Sequence, residues 1–92
     1  MEKVYYIDLK NVKSKQGLFE VIGKEMELPE HFGDNLDAFY DVLTESSEER
    51  NIIFYNCSGI SAEIPEYYSR LLKMCKGAVS EAEGALKIRF YN

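Results

Sequence analysis

Ile52-Ile53-Phe54-Tyr55-Asn56-Cys57 is almost continuously apolar and rich in β-favouring side chains, the pattern of a strand that is covered on both faces or lies centrally in a sheet. On its N-terminal side, beyond the polar run Glu45 to Arg50, Leu36, Phe39 and Leu43 fall on one side of a short helix with Tyr40 at the edge of that sector. This helix ends near Thr44 and takes its cap from Asp34 or Asn35. Residues 28 to 33 read as a loop in which Gly33 can supply a positive backbone angle, and Pro29 ends the element before it. That element is a helix from a Ser14 cap to about Glu27, since Leu18, Phe19, Ile22 and Met26 recur at three- and four-residue spacing. Val4 to Leu9 alternates with period two and reads as the first strand.

On the C-terminal side of Cys57, the apolar positions Tyr68, Leu71, Leu72, Cys75, Val79 and Ala82 hold helical spacing from Ile64, with Pro65 in the first turn and Gly84 at the end. Leu86, Ile88 and Phe90 then alternate with Lys87, Arg89 and Tyr91, giving a last strand with one polar face. The order β-αα-β-α-β joins strands only through helical crossovers, which requires parallel pairing and right-handed connections. The predicted architecture is therefore a two-layer α/β domain: a three-stranded parallel sheet with its helices packed on one face. At 92 residues and 10.6 kDa, one domain spanning 1–92 is the expected organisation.

The 46% hydrophobic and 29% charged composition is that of a globular chain and excludes a disordered tail. No apolar run approaches the roughly 20 residues needed to cross a bilayer, and Met1 to Lys15 carries no export signal, so the cytoplasm is the expected compartment. Cys57 and Cys75 are then expected to be reduced, buried thiols. None of the six glycines lies in a phosphate-binding frame, so no nucleotide cofactor is expected. The only histidine, His31, has no nucleophile partner in a recognisable elbow, which argues against hydrolytic catalysis. Gly33 to Asp37 fails the ligand spacing of a calcium loop. Asn56-Cys57-Ser58 matches a glycosylation acceptor only formally, at a strand end of a chain expected to stay in the cytoplasm.

The net charge of −5 conceals a sharper asymmetry. Residues 25 to 49 contain Glu25, Glu27, Glu30, Asp34, Asp37, Asp41, Glu45, Glu48 and Glu49 and no Lys or Arg, while the rest of the chain holds seven acids against all 11 bases. The acidic block is interleaved with Leu28, Phe32, Leu36, Phe39, Val42 and Leu43, so it belongs to the folded part. A folded acidic patch repels nucleic acid and anionic membrane and attracts a basic protein; the plainer reading is a face kept solvated for solubility.

The second helix breaks a local rule. At 100° per residue, Asp37, Tyr40, Asp41 and Thr44 share a sector of about 100° beside the buried one. Asp37, Asp41 and Glu45 are successive i,i+4 like charges, which costs a helix roughly 0.2–0.5 kcal/mol per pair. The helix dipole favours Asp37 but disfavours Glu45, so it does not account for the series. A cationic partner does. Tyr40, between the carboxylates, is the residue type favoured at binding hot spots, or a ring at the edge of the core. His31 either stacks on a partner or is simply exposed. An alternative from the enzyme class is a carboxylate metal site built from Asp34, Asp37 and Asp41.

The stretch Leu28-Pro29-Glu30-His31-Phe32-Gly33-Asp34-Asn35-Leu36-Asp37-Ala38-Phe39-Tyr40-Asp41-Val42-Leu43-Thr44 closely resembles the signature of the barstar family of ribonuclease inhibitors. The resemblance implies a non-enzymatic cytoplasmic protein, monomeric when free, without cofactor or metal. Such a protein blocks the active site of a small basic secreted ribonuclease of the barnase type with this helix and loop. It implies that Asp41 enters the phosphate pocket of the nuclease, that Asp37 pairs with a basic group at the rim, and that Thr44 adds a polar contact. Asn35 with Gly33 shapes the loop toward the guanine-binding side, Leu36 is mainly packing, and Glu83 is the acidic contact near the end of the last helix. His31 and Tyr40 replace the tyrosine and tryptophan of the family's best-known member, which preserves an aromatic at each place while changing its size and polarity. A module of the same fold serving as an interaction or immunity protein for a different basic partner is the alternative.

Overall fold

The computed structural model describes residues 2–30 and 32–92. β1 (Lys3–Asp8), β2 (Arg50–Tyr55) and β3 (Leu86–Phe90) form one parallel sheet in the order β1-β2-β3. The register aligns Lys3, Arg50 and Leu86 at one end and Ile7, Phe54 and Phe90 near the other. The central place of the apolar stretch is as expected. Its covering alternates, because Arg50, Ile52 and Phe54 are buried while Asn51, Ile53 and Tyr55 are only half-buried. On that second face Val4 and Tyr6 are 44% and 60% exposed, so the sheet has helices on one side only.

The described residues form four helices rather than three: α1 (Lys15–Glu25), α2 (Leu36–Glu45), α3 (Ser58–Glu63) and α4 (Pro65–Glu81). α1 begins where the Ser14 side chain accepts from the Gly17 N–H at 3.0 Å. It stops two residues before the predicted Glu27, because Met26 turns extended to bury its side chain ahead of Pro29. α3 was not legible. Ser58-Gly59-Ile60-Ser61-Ala62-Glu63 has weak helix propensity and a single buried residue, Ile60, whose carbonyl accepts the Ile64 N–H. α4 follows at once with Pro65 in its first turn, and its buried positions are Tyr67, Leu71, Cys75 and Ala78. Leu72, expected inside, is 37% exposed; Tyr68 instead stands edge-on to Phe90, ring centres 6.0 Å apart. The helix ends through left-handed residues at Glu83 (φ 48) and Gly84 (φ 91).

Inward side chains of the sheet (Ile7, Ile52, Phe54, Leu86) join Leu18, Phe19 and Ile22 of α1, Phe39 and Leu43 of α2, and Leu71 of α4 in one core. Both cysteines are free and buried within it. Burial pushes the Cys75 thiol up from its ordinary 9.0 to about 12. With the folded value raised, the stabilisation is fully present below pH 9 and is lost as pH climbs toward 12. Stability measured by denaturant titration is therefore expected to decline above pH 9. Below that pH, a thiol reagent is expected to label Cys75 no faster than the chain opens.

Candidate functional site

α2 is presented by a short, well-determined entry. Phe32 donates its N–H to Pro29 O at 3.0 Å, closing a turn, and its ring packs 5.9 Å from that of Phe19. The positive backbone angle expected at Gly33 lies one residue later, at Asp34 (φ 48), which a short polar side chain tolerates. At Gly33 space is tight instead: a Cβ there would sit 3.0 Å from Asn35 Nδ2 and press on the side chain that caps the helix. Asn35 is the cap. Its Oδ1 accepts from the Ala38 N–H at 2.8 Å, and its Nδ2 donates to Gly33 O at 2.9 Å. One side chain thus ties the loop to the first turn. Asn35→Ala is expected to cost about 1 kcal/mol of stability, read as a lowered denaturation midpoint.

The underside of α2 is fixed by Leu36, Phe39 and Leu43, all buried. Phe39 meets Phe19 nearly edge-on, at 6.4 Å and 82°. On the outside, Asp37, Asp41 and Glu45 are exposed. The ion pairs among the described residues are Lys3–Glu48 and Lys87–Glu2, so none of the three helix carboxylates is neutralised there by a side chain of its own chain. Tyr40 is half-buried and packs against the core while leaving part of its surface beside the acids. Thr44 donates its hydroxyl proton to Tyr40 O at 2.9 Å. Its oxygen remains an acceptor, suited to a cationic donor.

Gly33, Asn35, Asp37, Tyr40, Asp41 and Thr44 therefore lie on α2 and its entry, with an anionic and acceptor-rich outer face. His31 falls outside the described residues. Glu83 lies apart, exposed in the turn after α4. Two residues on, Ala85 O accepts the Arg50 N–H at 2.9 Å, and the Arg50 guanidinium reaches Leu43 O at 2.6 Å. The Glu83 turn and the C-terminal end of α2 thus meet at the same end of the sheet.

A family model described as Barstar (barnase inhibitor) matches residues 2–91. The chain belongs to the barstar family. Barstar-family proteins are inhibitors of barnase-type ribonucleases rather than enzymes, and an outward row of uncompensated carboxylates is chemistry suited to blocking a basic active site. Among the described residues no three of His, Cys, Asp and Glu, the trio Asp34, Asp37 and Asp41 included, are grouped so as to hold a metal ion. No described helix is long and apolar enough to cross a membrane.

Sequence reasoning missed the cations around this barstar-family face. A depression of about 340 Å³ at the N-terminal end of α2 sets Lys15 and Arg70 opposite Asp34 and Asp37. Both cations stand over the Tyr67 ring, at 4.9 and 5.5 Å. They come from α1 and α4, far from residues 28–44 in sequence, so no spacing rule could have found them.

Proposed function

We propose that this protein inhibits a small, basic, secreted-type ribonuclease by seating α2 and the preceding loop in its active site, as a monomer acting in the cytoplasm. The observation that carries the reading is the row Asp37, Asp41 and Glu45, exposed and in no ion pair among the described residues, on a helix whose underside is packed through Leu36, Phe39 and Leu43. Asp41 is the carboxylate that takes the place of an RNA phosphate, where charge-assisted bonds to arginine are strong once water leaves. Asp37 pairs with a basic group at the rim, Tyr40 supplies apolar contact between the two, and Thr44 accepts a hydrogen bond. Asn35 with Gly33 shapes the side facing the guanine pocket, His31 supplies an aromatic contact to the partner, and Glu83 adds a peripheral contact.

The test is a titration into a guanyl-preferring bacterial ribonuclease, followed by RNA cleavage. Stoichiometric block is expected; cleavage undiminished at an excess of this protein overturns the reading. Because the acidic face accelerates encounter, the association rate is expected to fall about tenfold or more between about 0.01 and 1 M salt, as the Debye length shrinks from about 30 to 3 Å. Stopped-flow mixing measures it directly.

A further inference from the structure

We propose that Arg50 is the positioning residue of the α2 face: from the first position of β2 its guanidinium grips the C-terminal carbonyls of α2 and sets the pose in which the carboxylates are presented. This rests on reading α2 as the inhibitory face. Arg50 is only 5% exposed and is the one charged side chain buried among the described residues. A buried guanidinium normally sits against a carboxylate, yet no described acid lies within ion-pair distance. It donates instead to Leu43 O at 2.6 Å through Nη2 and, more weakly, to Val42 O at 3.5 Å through Nη1. Its Nε is buried without a partner, so those carbonyls are its principal compensation.

The helix needs this grip. α2 ends at Ser46 in extended conformation, with no basic residue in its last turn, and the repulsion among Asp37, Asp41 and Glu45 favours fraying. Arg50 meets the negative end of the helix dipole with a full positive charge. The backbone of Arg50 is held independently. It pairs with Lys3 on one side and Leu86 on the other, and its N–H donates to Ala85 O. α2 is thereby tied to the centre of the sheet. Because the cation lies behind the anionic face, removing it makes that face more negative while loosening the helix, so the two rate constants of binding respond differently.

Arg50→Met and Arg50→Lys are compared with the wild-type chain by amide hydrogen exchange and by association and dissociation kinetics with the ribonuclease. In the wild type, the amides of Leu43, Thr44 and Glu45 are expected to exchange as slowly as those of Ile52 and Phe54. In Arg50→Met their exchange is expected to accelerate about tenfold or more relative to the β2 amides of the same variant. The dissociation rate rises about tenfold or more with association unchanged or faster, and Arg50→Lys, with the charge but not the fork, falls between. A merely structural loss would accelerate helix and strand amides together and leave the complex of the folded fraction as long-lived as before. Wild-type α2 amides that exchange far faster than β2, or an unchanged helix-to-strand ratio in both variants, overturn the proposal. The exchange measurements need no partner, so a chain that fails to inhibit refutes the ribonuclease reading while the grip of Arg50 on α2 is still decided. If Arg50→Met does not fold, the wild-type ratio and Arg50→Lys decide it.

Discussion

Asp41→Ala is expected to weaken inhibition about thirtyfold or more, corresponding to about 2 kcal/mol of binding free energy, while leaving the melting temperature unchanged or slightly higher. The two effects have opposite signs for one reason. Asp41 is exposed, has no ion-pair partner among the described residues and sits four residues from both Asp37 and Glu45. Its charge therefore contributes repulsion to the free protein, roughly 0.2–0.5 kcal/mol per pair, and attraction only when a cation arrives. Asp41→Asn keeps the shape and turns one acceptor oxygen into a donor, so it is expected to lose most of the binding as well. Inhibition titrations and thermal melts on the same samples give both quantities, and full inhibition by Asp41→Ala would remove Asp41 from its role.

Phe39→Ala acts from the opposite side of the same helix and is expected to lower stability by about 3–5 kcal/mol. Phe39 has no exposed surface and packs edge-on to Phe19, whose ring also meets Phe32 of the entry loop. The cavity therefore opens where α1, α2 and the loop converge, with few neighbours free to collapse into it. A chain of this size has only about 5–15 kcal/mol in total, so the denaturation midpoint is expected to fall by about a fifth or more. A loss under about 1 kcal/mol by urea titration would mean that α2 is not anchored through this ring. Together the two variants separate the faces of α2: one loses binding without stability, the other loses stability first.

The sheet was legible because its signals are local: period-two alternation in Val4 to Leu9 and Leu86 to Tyr91, and an apolar run too long for an exposed edge at Ile52 to Cys57. Helices α1, α2 and α4 were legible through the spacing of Leu18, Phe19 and Ile22, of Leu36, Phe39 and Leu43, and of Leu71 and Cys75. α3 escaped because Gly59 and two serines leave no periodicity around Ile60. The left-handed angle lies at Asp34 and not at Gly33, which the sequence did not reveal because a short polar side chain tolerates that conformation as well. Within the site, the carboxylate row was visible as a violated pairing rule on one helix. Arg50, Lys15 and Arg70 were not, since each reaches α2 across a strand or a neighbouring helix, and nothing local distinguishes such a cation from a solvated one.

The parallel arrangement also governs how the inhibitor comes into being. Lys3 pairs with Arg50 and Arg50 aligns with Leu86, so no two strands are joined by a hairpin that could form early on its own. Closing each pairing means ordering dozens of intervening residues, which makes for slow, concerted folding. During synthesis the final strand emerges last, and until it docks the centre of the sheet lacks one neighbour. Folding of this chain is therefore expected to be all-or-none, complete only once β3 has docked beside β2.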